Sequence, residues 1–361
     1  MTKQGVRMLP PAISLNQAIK LLRNLADISM LMGNMKNEFS HTIVGDALVN
    51  LFTLSESVQS TRIEGTQVTF TDVIDPSPEQ KKSWEQREVM NYQKALRDGL
   101  EQIKKGEPFS TRMLLRLHKI LMTDARGTSS AGGEFRKIQN FIGRDNNIEH
   151  ASYIPIGANE IPAYMENLEH YVNGYVHCSF IKHATEDVFV IDEKAPEILK
   201  LAVMHAQFES IHPFLDGNGR LGRILIALMA VRYELTDSPI FLVSEELERE
   251  RLRYYDLLNA VRGNDPDWYS WLSFFVDCCG NMARRLVAKM RNSVKLAENG
   301  MKRLTTVSEQ KVWIASFHDP VLTASAVSAQ VKLSPATVRK ALKSLAEKGM
   351  LYTSKEQQRK R

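Results

Sequence analysis

The chain has 361 residues, 43% hydrophobic and 25% charged, a length and balance that allow two or three domains and exclude the disordered and membrane-spanning classes. No run of 18 apolar residues occurs and the opening MTKQGVRMLPPAISL lacks the apolar centre of a signal peptide, so a cytoplasmic protein is expected, with no membrane partner. The net charge of +5 is uneven: Lys302 to Arg361 holds twelve Lys/Arg against four Asp/Glu, so any nucleic-acid signal belongs to the tail.

In chain order, apolar residues recur at three and four spacings in ALVNLFTLSESV (47–58) and LLRLHKILM (114–122), which predicts a mostly helical protein. The stretch 131–156, with glycines, Asn-Asn and β-branched residues, predicts a short hairpin between helical blocks. Helical patterns resume at 159–173, 193–210, 218–234 and 246–262. The Trp/Phe-rich WYSWLSFFVDCC (268–279) then reads as core. Cys178, Cys278 and Cys279 form no C-x-x-C pair and read as small core residues. A polar, basic stretch at 290–305 predicts a boundary. After it come SEQKVWIASF (308–317) and two short amphipathic helices, 323–333 and 336–352, about a turn at Ser334-Pro335. Ser334 is placed to cap the second helix and Pro335 to occupy its first turn. This is helix-turn-helix spacing, and the closing KEQQRKR leaves a short wing or none.

The chemistry concentrates in HAQFESIHPFLDGNGRLGRILIALMAVR (205–232), which places a histidine, a carboxylate, a Gly-Asn-Gly turn and two arginines ahead of an amphipathic helix. Gly217, Asn218 and Gly219 at a helix start let backbone N–H groups converge where the helix dipole adds positive charge, which suits a phosphate. Arg220 and Arg223 share a helix face and can grip further phosphate oxygens. Asp216 can hold Mg²⁺ between phosphates, since that ion takes one or two carboxylates with phosphate oxygens and water. His212 can accept a proton from a hydroxyl near neutral pH. Pro213 and Phe214 would fix the loop against the core. P-loop and dinucleotide-binding glycine spacings are both absent.

The segment HPFLDGNGRLGR resembles the signature of the Fic family, H-P-F-x-[DE]-G-N-[GK]-R-x-x-R, and is complete here; the likeness runs from GEFRKIQNFI (133–142) through the Trp/Phe block. The resemblance implies a Fic helical bundle with a β-hairpin flap, followed by a winged-helix-like unit. It divides the chain into an N-terminal helical region (1–110), a catalytic core (111–290) and a C-terminal unit (291–361). It implies AMP transfer from ATP to a Ser, Thr or Tyr hydroxyl of a target docked on the flap at 133–156. His212 would be general base and Asp216 the Mg²⁺ ligand. Phe214, Asp216, the Gly-Asn-Gly turn, Arg220 and Arg223 would bind ATP. Relatives often carry two prolines at the far end of the flap, whereas Tyr153-Ile154-Pro155-Ile156 has one. Such proteins are often dimers.

Residues Ser60-Thr61-Arg62-Ile63-Glu64-Gly65 resemble the inhibitory motif [ST]-x-x-x-E-[GN] of autoinhibited Fic proteins. The resemblance implies that Glu64 pairs with Arg223 in the place of the ATP γ-phosphate, and relatives also use this glutamate to remove AMP. Tyr254 and Tyr255 are expected at the adenine or in helix packing. Arg136 and Asn140 are expected at nucleotide or target, or in a solvated loop, and His118 and His205 in structural roles. The competing reading is a nucleotide-sensing regulator that binds DNA through 305–361, and winged-helix units also dock proteins. A third keeps the enzyme but changes the donor to one supplying UMP, phosphocholine or phosphate.

Overall fold

In this computed structural model, residues 2–40, 42–74, 82–124, 132–143, 147–178, 180, 187–319 and 321–352 are described. The chain opens with strands β1 (Lys3–Gln4) and β2 (Ala12–Ser14), then helices α1 (Leu15–Ser40), α2 (Gly45–Ile63), α3 (Phe70–Ile74), α4 (Trp84–Lys104) and α5 (Thr111–Leu121). Strands β3 (Ile142–Gly143) and β4 (Ala151–Ile154) lead to α6 (Ile161–Asn173), β5 (Val188–Val190), α7 (Glu197–Ile211) and α8 (Asn218–Arg232). Then follow α9 (Ser244–Arg249), α10 (Arg251–Ala260), α11 (Trp268–Met301), α12 (Val307–Ala315), α13 (Ala324–Val331) and α14 (Pro335–Glu347). Among the described residues no helix is long and apolar enough to cross a membrane.

Two helices form the centre and are buried on nearly every side: α7 buries all residues from Ile198 to Ile211 except the charged Lys200, and α8 buries Leu221 through Ala230. Around them α4, α5, α6 and α11 present one buried stripe each, and α1 lies along α11 through Leu21, Leu25, Ile28, Met32 and Met35. Cys278 and Cys279 are in this core, whereas Cys178 is exposed and is not the core residue expected. The helix expected at 246–262 is two, α9 and α10, parted at Glu250, which leaves helical geometry (φ −110°, ψ 36°).

The expected flap hairpin is present as β3 against β4, antiparallel with a bulge; residues 131 and 144–146 of that expectation lie outside the described residues. The sheet gains β1, which runs parallel to β4 and gives the order β1-β4-β3. A second small sheet pairs β2 with β5. Tyr153 anchors β4 to the centre: its ring is fully buried and its hydroxyl donates to the Ser210 carbonyl at 2.6 Å.

The boundary expected at 290/291 falls inside α11, which continues to Met301, so the chain changes direction only at Lys302–Thr306. Helix α12 is fastened to the last turns of α11 by Trp313, whose indole N–H donates to the Ala297 carbonyl at 3.0 Å. The indole lies so close to Gly300 that a Cβ there would stand 2.3 Å from it. Helices α13 and α14 meet through left-handed Lys332, and Ser334 caps α14 by accepting from the Thr337 N–H at 3.1 Å. Among the described residues no strand follows α14.

Candidate active site

Helix α7 ends at His212, which takes a left-handed conformation (φ 49°, ψ 59°) and turns the chain into a six-residue loop before α8. Three side chains fix that loop. Asn218 closes it from within, accepting from the Phe214 N–H at 3.0 Å and donating to the Phe214 carbonyl at 2.9 Å. Arg136, buried beneath the flap, donates to the carbonyls of His212 (3.0 Å), Ile138 (3.1 Å) and Ile156 (2.6 Å). His118 of α5 stacks on the Phe214 ring with centroids 3.7 Å apart. Its Nδ1 accepts from the Gly133 N–H, so the proton sits on Nε2 and is donated to the Asp216 carbonyl at 2.9 Å.

These contacts aim His212. Its Nδ1 lies 3.3 Å from the Glu209 carbonyl, an arrangement in which Nδ1 carries the proton and Nε2 is the free base. Burial pushes its pKa down to about 4, helped by the cationic Arg262 and Arg136, so the ring is neutral and proton-accepting at physiological pH. Glu209, three residues earlier on α7, is buried with Oε1 unpaired, and burial pushes its carboxyl up to about 7 against the pull of Arg223.

At the start of α8 no side chain caps the helix, so first-turn N–H groups without helical partners remain available to an anion. Gly217 has φ +79°, and a Cβ there would meet Met122 Sδ at 2.7 Å. Gly219 marks the closest approach, since its Cβ would fall 2.3 Å from Glu64 Oε1 and 3.0 Å from Arg223 Nη1. Arg223 is buried; its Nε donates to Ser60 Oγ at 2.8 Å, and Nη2 donates to the Ser60 carbonyl at 2.9 Å and to Glu64 Oε1 at 2.5 Å. Its Nη1 is buried without a protein partner. Burial opposes the charge, yet Glu64 together with Tyr254, Tyr255 and Glu209 outweighs it and holds the guanidinium protonated above its ordinary range. Glu64, at the C-terminal cap of α2, feels burial raising its pKa, but Arg223 with Arg220 and His212 brings it below the usual carboxylate range.

Arg220 is held differently. It pairs with Glu88 of α4 at 2.9 Å, both side chains buried, and reaches Asp216 at 3.4 Å. Asp216 itself is 61% exposed. Among the described residues no group of three or more His, Cys, Asp or Glu could form a metal cage. A single exposed carboxylate beside a helix start without a side-chain cap is the kind of donor Mg²⁺ takes when it also binds phosphates.

The structure thus brings together His212, Asp216, Gly217, Asn218, Gly219, Arg220, Arg223, Ser60 and Glu64, with Phe214 packed beneath the loop. The tyrosine pair divides. Tyr254 is a core residue, 1% exposed, with its hydroxyl 2.9 Å from His205 Nε2, and offers no face to adenine. Tyr255 stays at the surface with its hydroxyl donating to the Ile63 carbonyl at 3.3 Å, beside the end of α2. Arg136 is a buried strut, neither solvated nor open to ligand, and Asn140 donates to the Phe214 carbonyl at 3.3 Å. Sequence reasoning missed Glu88 and Arg262. Glu88 left a signal, a charge on the same helical stripe as Tyr92, Ala95 and Gly99. Arg262 left none; it lies over the Tyr153 ring at 4.0 Å and donates to the Glu209 carbonyl at 3.1 Å.

Two family models match: Fic/DOC family over residues 108–230 and Fic/DOC family N-terminal over 22–101, together more than half of the chain. Curated relatives are named protein adenylyltransferase Fic. That from Culex quinquefasciatus is 26% identical over 176 residues, 49% of this chain and 29% of its own length; that from Drosophila mojavensis is 27% identical over 149 residues, 41% and 23%. The chain spans less than a third of the length of these relatives. A crystal structure of a Fic family protein from Desulfovibrio desulfuricans covers 96% of this chain and 92% of its own at 19% identity and a TM-score of 0.56. Fic-1 from C. elegans covers 74% and 73% at 17% identity and 0.53. At those identities the likeness is one of fold.

Proposed function

From the premise that this chain belongs to the Fic/DOC family, we propose that it moves AMP from ATP to a Ser, Thr or Tyr hydroxyl of a target protein and that Glu64 restrains it. The observation that carries the reading is the Arg223 guanidinium, buried, gripped by Glu64 at 2.5 Å and with Nη1 still unpaired at the open start of α8. A buried cation of this kind suits a terminal phosphate, and a carboxylate in the same place competes with it.

In the reaction the target oxygen attacks the α-phosphorus and gives its proton to His212 Nε2. The bond from that phosphorus to the α,β-bridging oxygen breaks, and pyrophosphate leaves with the electron pair. The N–H groups at Gly217–Gly219 and the Arg220 and Arg223 guanidiniums neutralise the phosphates, so positioning and charge rather than covalent chemistry carry the step. Mg²⁺ held by Asp216 would supply further charge neutralisation between phosphates. Strand β3 is an edge strand, and its open side suits an extended target segment added as a further strand.

The test uses the protein, Glu64→Gly and Glu64→Gly/His212→Ala with Mg²⁺ and α-labelled ATP. We expect label on protein with the single variant alone. Equal labelling of wild type and Glu64→Gly removes the inhibitory role, and label from γ-labelled ATP alone removes AMP as the transferred group.

A further inference from the structure

The C-terminal helices carry a feature that AMP transfer does not use. From Thr323 to Ala346 the sequence has four basic residues and no acidic one. The fold places this run in α13, a tight turn at left-handed Lys332, and α14. Val338, Ala341 and Leu345 are buried towards the rest of the unit, and Ser344 donates to Glu309 of α12. On the opposite side Ala336, Arg339, Lys340 and Lys343 are exposed within one arc of α14. Small residues stand at its N-terminal end, and the only acid in that arc, Glu347, lies at the far end within 3.8 Å of Lys343.

We propose that this unit binds double-stranded DNA, with α14 lying in the major groove and Lys332, Arg339, Lys340 and Lys343 on backbone phosphates or base edges. A helix with its side chains is about 10–12 Å across, and the major groove is about 12 Å wide. In helix-turn-helix docking the second helix enters the groove while the first crosses the backbone. Among the described residues of this unit the other acids are engaged elsewhere: Glu309 takes Lys348 at 2.6 Å behind α14, and Asp319 lies 3.1 Å from His318. Binding through this surface is independent of the AMP chemistry.

The test is fluorescence anisotropy of the full chain with a labelled duplex of about 30 base pairs across a salt series, with a single strand of equal length alongside. Four phosphate contacts predict a slope of log K against log salt of about −3 to −4, since each contributes about −0.9. Arg339→Ala/Lys343→Ala should weaken duplex binding at least tenfold and lower the slope by about two, with the melting temperature unchanged. The charge-matched control Lys104→Ala/Lys105→Ala, on the body of the protein, should leave binding as it was. Absence of duplex binding at 50 mM salt, equal affinity for the single strand, or equal losses in the two double variants would overturn the proposal.

Discussion

At the scale of single residues, the proposed chemistry depends on a histidine kept neutral by its surroundings. Because burial lowers the folded pKa of His212 to about 4, from an ordinary value near 6.5, the ring can accept a proton throughout the interval between them. The activity of Glu64→Gly should therefore hold as pH falls from 7 to 5 and fail only near 4. A short-incubation pH profile of AMP transfer checks this, and a midpoint near 6.5 would mean that the histidine is as solvated as in a free peptide. The same lowered value makes His212 a stability group: the unfolded chain binds its proton below about 6.5 and the folded one only below about 4, so His212 takes stability away as pH falls across that window. Its neighbours were partly legible. The run from His212 to Arg223 announces itself because an acid, two arginines and a Gly-Asn-Gly turn have no shared structural use. Arg136, by contrast, reads equally as a nucleotide or target contact and as a solvated loop cation, and only the chain's return beneath the flap turns it into a donor for backbone carbonyls.

At the scale of elements, α8 depends on α4. Arg220 lies on the first turn of α8 and its buried partner Glu88 on the first turns of α4, two helices joined in sequence by more than a hundred residues. Removing one member of a buried pair leaves an uncompensated charge and costs about 3–5 kcal/mol. Glu88→Gln should lose stability in that direction, less the part that the amide oxygen recovers, and should weaken ATP use through a misplaced Arg220. Urea unfolding and the KM for ATP in the Glu64→Gly background measure the two effects. The helices expected over 159–173, 193–210 and 218–234 are present as α6, α7 and α8, whereas α1, α4 and α11 are not among the expected helices and 268–279 reads only as core. Strands β1, β2 and β5 escaped the sequence because two or three residues carry no period at all. The break at Glu250 was invisible for a similar reason, since apolar spacing continues through it.

At the scale of the whole molecule, the C-terminal unit is tied to the body by Trp313 on the last turns of α11 and by Asn50 of α2, whose amide donates to the His318 carbonyl at 3.2 Å. Gly300→Ala would put a methyl 2.3 Å from the indole and must displace it. Overpacking of this kind costs about 1–3 kcal/mol. We expect a lower melting temperature with Trp313 fluorescence shifted towards the red, while a silent substitution would show that the indole can move freely. The second tie lies near one end of α2 and Glu64 at the other. Along its length α2 rests on α4, α8 and α9, and Ser60 holds Arg223 even without Glu64. On the proposed reading the restraint is a side chain mounted on a fixed wall. Letting a phosphate in asks for a change of Glu64 rotamer rather than departure of a helix, so restrained and active molecules would share one shape and one hydrodynamic radius. The degree of restraint then becomes an occupancy, and about 1.4 kcal/mol on that rotamer equilibrium resets basal turnover tenfold.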